Sequence, residues 1–406
     1  MTIAQGTSKQ FRIARQSALG TIASAGGGQI LRRTDGQLTL QKETYNTAAE
    51  KTSHQQMTSS RHGPRLVQGN LNGLLSPNTY ADFMQALLRK DAVATAALTG
   101  LSITIAASGS AYTLTRGSGS YLTGGTKIGD VVRLTAGSFA TGNLNNNLLI
   151  INLTATVATV ITLNGSALTA EGPIASATMT VVGKKAWVPS SSHTNIFYTV
   201  EEWMPDIPRS HRTTDVKVGQ AQIEYPSTGN VTAGFSLIGL DQSANSSVYF
   251  TSPSAESTSE VLASASGVLV FDGAAIATIM SATVTVNGQA QPANSVVGKN
   301  VRPDVFQSKV LVSGQINGYF EGGALSDAFI NENEVSLILV NTDGSANDAE
   351  FVALSMQRVK LNSENRDDAE TGITAQYTFE ALRQSAGGSG TAYDDTTIVY
   401  QDSLIP

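Results

Sequence analysis

The chain has 406 residues, of which 41% are hydrophobic, 14% charged and 6% aromatic. At roughly 150 residues per domain this length predicts two or three domains, and the apolar fraction suffices to build their cores. Cysteine is absent and histidine occurs only four times, which excludes disulfide scaffolds, thiolate metal sites and thiol nucleophiles.

In chain order the predicted elements are mostly strands. Alternating or β-branched runs predict strands near residues 37–40, 102–105, 111–115, 154–163, 178–182, 216–225, 231–237, 282–286, 310–320, 335–340 and 396–400. One helix is predicted after Ser76 as cap and Pro77 as first helical residue. Its apolar face contains Tyr80, Phe83, Met84, Leu87 and Leu88. The predicted class is all-β or β-dominated, with one helix per domain.

Several segments of the first half recur in the second half. Residues 67–75 match residues 312–320 at an offset of 245. Identical positions include Gly69 and Gly314, Asn72 and Asn317, and Gly73 and Gly318, and the same offset relates Asp82 to Asp327 further on. Two later blocks align residues 216–225 with 352–361 at an offset of 136, and residues 231–237 with 373–379 at an offset of 142. The common order of the blocks predicts an internal duplication.

The change of offset also predicts an insertion. A fall from 245 to 136 places 109 extra residues in the first half. We therefore expect a discontinuous first β-domain over residues 1–95 and 190–245. A small inserted β-domain would occupy residues 96–189 on the outer surface, and a second copy of the first domain would occupy residues 246–406.

Charge is unevenly distributed along the chain. The net charge is −6, but residues 1–65 hold nine basic and three acidic side chains, and residues 321–350 hold seven acidic and no basic ones. Two interpretations are open: ordinary solvated faces, and a basic arm that docks on an acidic face of another copy. The candidate assembly residues are Arg12, Arg15, Arg32, Arg33, Arg61, Glu332 and Glu334. Nucleic-acid binding is less favoured, because no binding motif or aromatic run accompanies the basic residues.

No constellation of catalytic residues is recognisable. The glycines of residues 117–124 lack the spacing of a dinucleotide-binding loop, and no Gly-Lys-Ser/Thr follows them. Glu201 and Glu202 are neighbours on a predicted strand, so they point to opposite faces and cannot share an acid–base site. We expect no enzyme activity, no cofactor and no metal site. The first twenty residues lack a secretory apolar core and no run is long enough to span a bilayer, so we expect no membrane contact.

Motifs along nearly the whole chain resemble the tail tube (major tail) proteins of long-tailed, siphovirus-type bacteriophages, in a form with two tube domains. The segments that carry the resemblance are 20–24, 31–34, 61–63, 69–73, 76–83, 197–203, 297–300 and 325–332. Residues 100–185 contribute nothing to it.

The resemblance implies a structural virion protein. Members of this family polymerise into stacked rings that form the conduit for genome ejection, and each tube domain adds antiparallel strands to a large barrel with a helix outside. The implied partners are other copies of the chain and the tape-measure, tail terminator and baseplate proteins, with DNA passing transiently and without binding. The implied location is the virion tail, after assembly in the host bacterial cytoplasm.

Two expectations combine the resemblance with the sequence. If each chain supplies two tube domains, three copies give six, so we expect trimeric rings with pseudo-sixfold symmetry. A conduit for DNA needs a neutral or acidic polar lumen, because basic side chains would bind phosphate. Gln220, Gln222 and Glu224 share one face of a predicted strand and are candidate lumen residues, although an ordinary half-exposed strand has the same pattern.

The basic N-terminal segment, with a hinge at residues 26–28, is expected to be disordered in the free subunit and to bridge stacked rings. The alternative function is a β-rich adhesion or carbohydrate-binding protein, or another virion baseplate or decoration protein. An exposed aromatic cluster in the inserted domain would favour it, but Tyr112, Tyr121, Phe139 and Trp187 are scattered.

Overall fold

The computed structural model describes residues 3–51, 53–321, 323–367, 370 and 372–406. Strands account for 48% of the chain and helices for 5%, which confirms the β-dominated class. In the first half, the described residues form β1 (Gln10–Arg15), β2 (Gln29–Ile30), β3 (Asp35–Asn46), β4 (Ser60–Leu74), α1 (Ala81–Leu88), β5 (Leu98–Ser108), β6 (Ala111–Arg116), β7 (Val131–Ala136), β8 (Leu148–Leu153), β9 (Val157–Thr162), β10 (Glu171–Val181), β11 (Lys184–Trp187), β12 (Tyr198–Met204), β13 (Arg209–Tyr225), β14 (Thr232–Gly239) and β15 (Asp241–Asn245). In the second half they form β16 (Gly267–Phe271), β17 (Ala274–Ala275), β18 (Ile279–Asn287), β19 (Gln291–Pro292), β20 (Val305–Phe306), β21 (Leu311–Tyr319), α2 (Ala324–Ile330), β22 (Glu334–Thr342), β23 (Phe351–Arg366), β24 (Thr374–Ala381) and β25 (Val399–Asp402).

Eight strands form one continuous antiparallel sheet, which we call the long sheet. Its order is β3–β4–β14–β13–β18–β21–β24–β23. The first four strands come from the first half of the chain and the last four from the second half, and the two sets have the same internal order. A helix follows β4 in one set and β21 in the other. This repetition confirms the predicted duplicated fold.

The long strands β13 and β23 connect the long sheet to a second layer in each half. The start of β13 pairs with β12 and β15, whereas its end pairs with β14. Likewise, β23 pairs first with β22 and β25, and then with β24. Register shifts lie at the crossing, between Val218 and Gln220 and between Leu361 and Ser363. Such bulges bend a strand and allow it to pass from one layer to another.

The shared glycines of the repeat have a common packing reason. A β-carbon on Gly69 of β4 would overlap the backbone carbonyl oxygen of Gln37 on β3. A β-carbon on Gly314 of β21 would overlap the carbonyl oxygen of Thr283 on β18 in the same way. Only glycine therefore permits the close approach of these strand pairs.

The pairing corrects one alignment made from the sequence. Gln222 lies opposite Gly234 on β14, and Asn365 lies opposite Gln376 on β24. Because Gly234 and Gln376 are related by the offset of 142, Gln222 corresponds to Asn365 at an offset of 143. The offset of 136 was wrong by seven residues. Recurring alternation along both strands makes several alignments nearly equivalent, and only the cross-strand partners distinguish them.

Helix α1 packs its predicted apolar face into the core of the first half. Phe83 contacts Phe235 and Tyr198, with ring centroids 5.2 and 5.4 Å apart. The helix begins at Ala81 rather than at Pro77, because Asn78 adopts a left-handed conformation with a φ of 63° and interrupts the helical path. Ser76 instead hydrogen-bonds to Thr79 in the preceding turn.

Strands β5–β10 form a closed six-stranded barrel in the order β5–β6–β9–β8–β7–β10. Although the barrel is inserted in the first half of the chain, its core is continuous with side chains of the second half. These are Val270, Ile338, Val340, Phe351 and Ala353. The barrel supports the predicted inserted domain, while the three-domain division itself stays a prediction.

The N-terminal segment is part of the fold. Residues of β1 pair with β12 along the whole strand and with β2 at Arg12 and Ile13. The expectation that this segment is disordered in the free subunit was therefore wrong for β1, because its backbone groups complete a sheet. Within the described residues, no helix is long and apolar enough to cross a membrane.

Candidate functional site

One face of the long sheet is polar along its whole width. Alternate residues on each strand point to this face, because side chains alternate across a strand. The cross-strand pairs Asn70 with Ser236, Gln220 with Asn287, and Gln315 with Thr378 show that these residues are in register. We call this surface the polar face. Its central residues are Gln37, Thr39, Gln41, Gln68, Asn70, Asn72, Gln220, Gln222, Glu224, Thr232, Gly234, Ser236, Thr283, Thr285, Asn287, Ser313, Gln315, Asn317, Ser363, Asn365, Thr374, Gln376, Thr378 and Glu380.

The charge of the polar face is low and negative. Among the central residues just named, the charged side chains are Glu224 and Glu380. Lys360 lies opposite Glu380 at the margin of this surface. The central polar face therefore offers amide and hydroxyl groups, together with two carboxylates, and no ammonium or guanidinium group.

Hydrogen bonds between neighbouring side chains organise the polar face. Gln376 Nε2 donates to Gln315 Oε1 at 2.8 Å. Asn317 Nδ2 donates to Ser281 Oγ at 3.0 Å, and Gln222 Nε2 donates to Glu224 Oε1 at 2.6 Å. Each of these three amides uses one of its two N–H donors within the polar face.

The opposite face of the same strands is the protein core. On β13, Ala221 and Ile223 are at most 1% exposed, and Val284 on β18 is equally buried. Burying apolar area on one side fixes the strand orientation, since a slip of one residue would exchange the two faces. The core thus determines which side chains form the polar face.

The sequence placed three of these residues correctly on one surface. Gln220, Gln222 and Glu224 alternate with buried residues of β13, as the pattern predicted. Sequence reasoning missed their neighbours on the other seven strands. The signal was present in the alternations of residues 68–72, 283–287, 313–317 and 376–380, but it did not reveal that these strands share one sheet.

The candidate assembly arginines near the N-terminus have partners within the chain. Arg12 is 8% exposed and donates to the carbonyl oxygen of Phe250 at 2.6 Å. Arg15 bonds to Asp82 and Asp91, each at 2.6 Å. A role for Arg12 or Arg15 between subunits stays a prediction and would require these intrachain contacts to be exchanged or shared.

The remaining assembly candidates are more dispersed. Arg32 donates to the carbonyl oxygen of Ser259, and Arg33 to that of Lys9, both at 2.6 Å. Arg61 is exposed on the β3–β4 hairpin. Glu334 accepts two hydrogen bonds from Arg358, at 2.6 and 2.7 Å, whereas Glu332 lies 3.5 Å from Lys360. The structure does not bring these arginines and glutamates together within one chain.

A buried charge cluster joins the inserted barrel to the second half. Lys185 Nζ lies 2.7 Å from Asp130 Oδ1 and 3.4 Å from Asp394 Oδ2. Burial raises the pKa of Asp130, and the Lys185 ammonium opposes that rise. Burial alone would lower the pKa of Lys185, but the two carboxylates outweigh it and raise that pKa. The cluster therefore holds the barrel in place as an ion pair at neutral pH.

The comparison with known families decides what kind of protein this is. The family model described as phage tail tube protein matches residues 6–381. The chain belongs to the phage tail tube protein family. A search of curated proteins finds no match.

Family membership agrees with the fold. Phage tail tube proteins are structural components of the virion tail and are not an enzyme family. The chain is therefore a structural tail protein.

Proposed function

We propose that this phage tail tube protein assembles into stacked rings of three copies, which form a conduit for genome ejection. The observation that supports this proposal is the long sheet, in which two equivalent four-stranded units lie edge to edge. The chain already joins two units through one strand pair. The same kind of strand pair could therefore continue the long sheet into another chain.

The number three follows from the two units per chain. Three chains would supply six units, and so a pseudo-sixfold ring. Closing the sheet into a barrel would pair the two strand edges that the single chain leaves at β3 and β23, and unpaired edges are otherwise a site of uncontrolled aggregation.

The polar face would line the lumen, with Gln220, Gln222 and Glu224 among its residues. Lysine and arginine bind phosphates and release counterions, which gives tight and salt-dependent attachment to DNA. A surface of amides, hydroxyls and a few carboxylates would offer little attraction to the phosphate backbone. DNA could then slide through without being held.

The inserted barrel would lie on the outside of the ring, because its core is continuous with Val270, Ile338 and Val340, which lie on β16 and β22 outside the long sheet. One barrel per chain would give three projections per ring. Tape-measure, tail terminator and baseplate proteins are the proposed partners, and assembly would take place in the host cytoplasm before the tail is complete.

Electron microscopy of the concentrated, purified chain tests this proposal. Hollow tubes or rings with three chains, each ring bearing three outer projections, are the expected result. Rings of six chains would retain the conduit and overturn the trimer. A monomer at all concentrations that binds glycans would overturn the conduit and favour the adhesion alternative.

A further inference from the structure

The junction between the two halves supplies a template for the junction between chains. The end of β13 pairs with β18, so that Ala221 lies opposite Val286 and Gln222 opposite Thr285. Gly288 N also donates to Gly219 O at 2.9 Å. This pairing joins the last strand of one four-stranded unit to the first strand of the next.

The two outermost strands of the long sheet are the equivalents of this pair. Strand β23 corresponds to β13, and β3 corresponds to β18. In the described part of the chain, the end of β23 pairs with β24 alone, and β3, which is 12 residues long, pairs with β4 alone. Each therefore has one side without a strand neighbour.

The internal repeat fixes the register that a new pair would have. Gln222 corresponds to Asn365, because their partners Gly234 and Gln376 are equivalent. Thr285 lies opposite Ser313, and Thr39 lies opposite Gln68. Since Ser313 and Gln68 are related by the offset of 245, Thr285 corresponds to Thr39.

We propose that β23 of one chain pairs with β3 of a second copy in antiparallel register, with Asn365 opposite Thr39. This inference rests on the proposed ring and specifies its interface. In the same register Ser363 lies opposite Gln41, so the polar face continues across the junction. On the other face Glu364, which accepts hydrogen bonds from Arg366 and Tyr377 of its own chain, lies opposite Leu40.

Side chains occupy part of the open edge of β3 in the free chain. Leu38 N donates to Glu202 Oε1 at 2.6 Å, and Gln242 Nε2 donates to Leu38 O at 3.2 Å. Lys9 Nζ donates to Gly36 O at 3.0 Å and lies 2.8 Å from Glu202 Oε2. These three side chains, which we call the edge caps, satisfy backbone groups that would otherwise lack a partner.

In the second half, the edge equivalent to that of β3 is the edge of β18, and it is paired with a strand instead of being capped by side chains. By the register of their partners His211 and Leu354, Glu202 corresponds to Leu339. Leu339 is buried and apolar, and the neighbouring strand β18 is paired with β13. The edge caps therefore substitute for a missing strand, and an incoming β23 must displace them. This exchange keeps the edge of the free chain protected until another copy arrives.

Disulfide cross-linking tests the register directly, because the natural chain has no cysteine. The test variant carries Asn365→Cys and Thr39→Cys. Facing residues on adjacent antiparallel strands can come close enough for a disulfide. The matched control carries Gln222→Cys and Thr285→Cys, the equivalent pair within one chain. Two register controls combine Asn365→Cys with Gln37→Cys or with Gln41→Cys.

After assembly and mild oxidation, we expect the test variant to form covalent dimers and closed trimers on a non-reducing gel. The intrachain control should lose its free thiols without any increase in mass. Each register control should cross-link at least tenfold less than the test variant.

The outcomes separate the interface from the function. Rings or tubes that cross-link through Gln37→Cys or Gln41→Cys overturn the register, and tubes without any link between β23 and β3 overturn the interface. Both results leave the conduit intact. If the protein forms no rings and no cross-links while the intrachain control still oxidises, the proposed function itself is overturned.

Discussion

Lys185 and Asp130 form an ion pair with Nζ and Oδ1 2.7 Å apart, and both side chains are at most 3% exposed. Lys185 lies on β11, which pairs with the C-terminal strand β25. Asp130 lies immediately before β7 of the inserted barrel. The pair thus connects the barrel to β11, and through the pairing of β11 with β25 to the second half, at a buried point.

Removing one partner of this pair is expected to be costly. Lys185→Met leaves two carboxylates without their ammonium, and breaking a buried pair typically costs about 3–5 kcal/mol. The double variant Lys185→Met, Asp130→Asn should recover part of this loss. Urea denaturation measures the free energy of unfolding. As a control, Arg383→Ala removes the exposed pair with Asp395 and should cost at most about 1 kcal/mol; equal losses in the two single variants would contradict the prediction.

Because of Asp402, we expect part of the free energy of unfolding to decrease as the pH rises. Burial raises the pKa of Asp402 to about 6. The folded state therefore binds this proton more tightly than the unfolded state, so the stabilisation is complete below the unfolded pKa and is lost as the pH rises through 6. Relative to Asp402→Asn, the natural chain should lose about 2–3 kcal/mol of unfolding free energy between pH 4 and pH 8.

Asp395 serves as the control for that experiment, because a hydrogen bond from Arg383 lowers the pKa of Asp395. Its contribution should have the opposite sign, being present above the unfolded pKa and lost as the pH falls. The Asp402 explanation fails if Asp402→Asn leaves the pH slope of the unfolding free energy unchanged.

The glycines of the repeat predict severe effects from a single methyl group. Gly314→Ala and Gly69→Ala should each cost at least about 2 kcal/mol, because the new β-carbon meets a backbone carbonyl that cannot move aside freely. Gly142→Ala, where no atom lies within 4 Å of the added carbon, should change the unfolding free energy by at most about 0.5 kcal/mol. Thermal or urea denaturation distinguishes these variants, and a tolerated Gly314→Ala would show that the strands can separate slightly.

A positive charge on the polar face should turn the conduit into a DNA-binding surface. Tubes of Gln222→Lys are expected to retain short duplex DNA at 50 mM salt and to release most of it at 200 mM, because phosphate contacts depend steeply on salt. Ala107→Lys places the same charge on the exposed surface of the inserted barrel and controls for outer binding. Filter retention of labelled DNA measures the difference; equal retention by both variants would argue against a lumen position for Gln222.

We expect a variant that lacks one of the edge caps to assemble at a lower protein concentration than the natural chain. Gln242→Ala removes the donor to Leu38 O and also the hydrogen bond to Thr213 Oγ1. The loss at Thr213 affects both states, whereas the loss at Leu38 affects only the free chain, because an incoming strand replaces that bond. A lost hydrogen bond of about 1 kcal/mol should lower the critical concentration for assembly roughly fivefold. Gln376→Ala, which removes only a contact with Gln315 on the polar face, is the control. Light scattering against concentration measures the effect, and a higher critical concentration for Gln242→Ala would contradict the substitution of caps for a strand.

Much of the local structure was predictable from the sequence. The alternation of Gln220, Gln222 and Glu224 with apolar residues identified the two faces of β13, because strand side chains have a period of two. The repeated glycines indicated the duplication. The structure gives the reason for the repeat, because Gly69 packs against Gln37 as Gly314 packs against Thr283. The apolar spacing around Phe83 identified α1, and only its first turn was placed too early.

The tertiary structure alone decided which elements meet. Period-two alternation states which side chains share a face, but it carries no information about the neighbouring strand. The order β14–β13–β18, the packing of the inserted barrel on the second half, and the bond between Glu202 and Leu38 all join residues far apart in sequence. Such contacts are selected by the burial of the whole core and the pairing of every backbone group, which are properties of the complete fold.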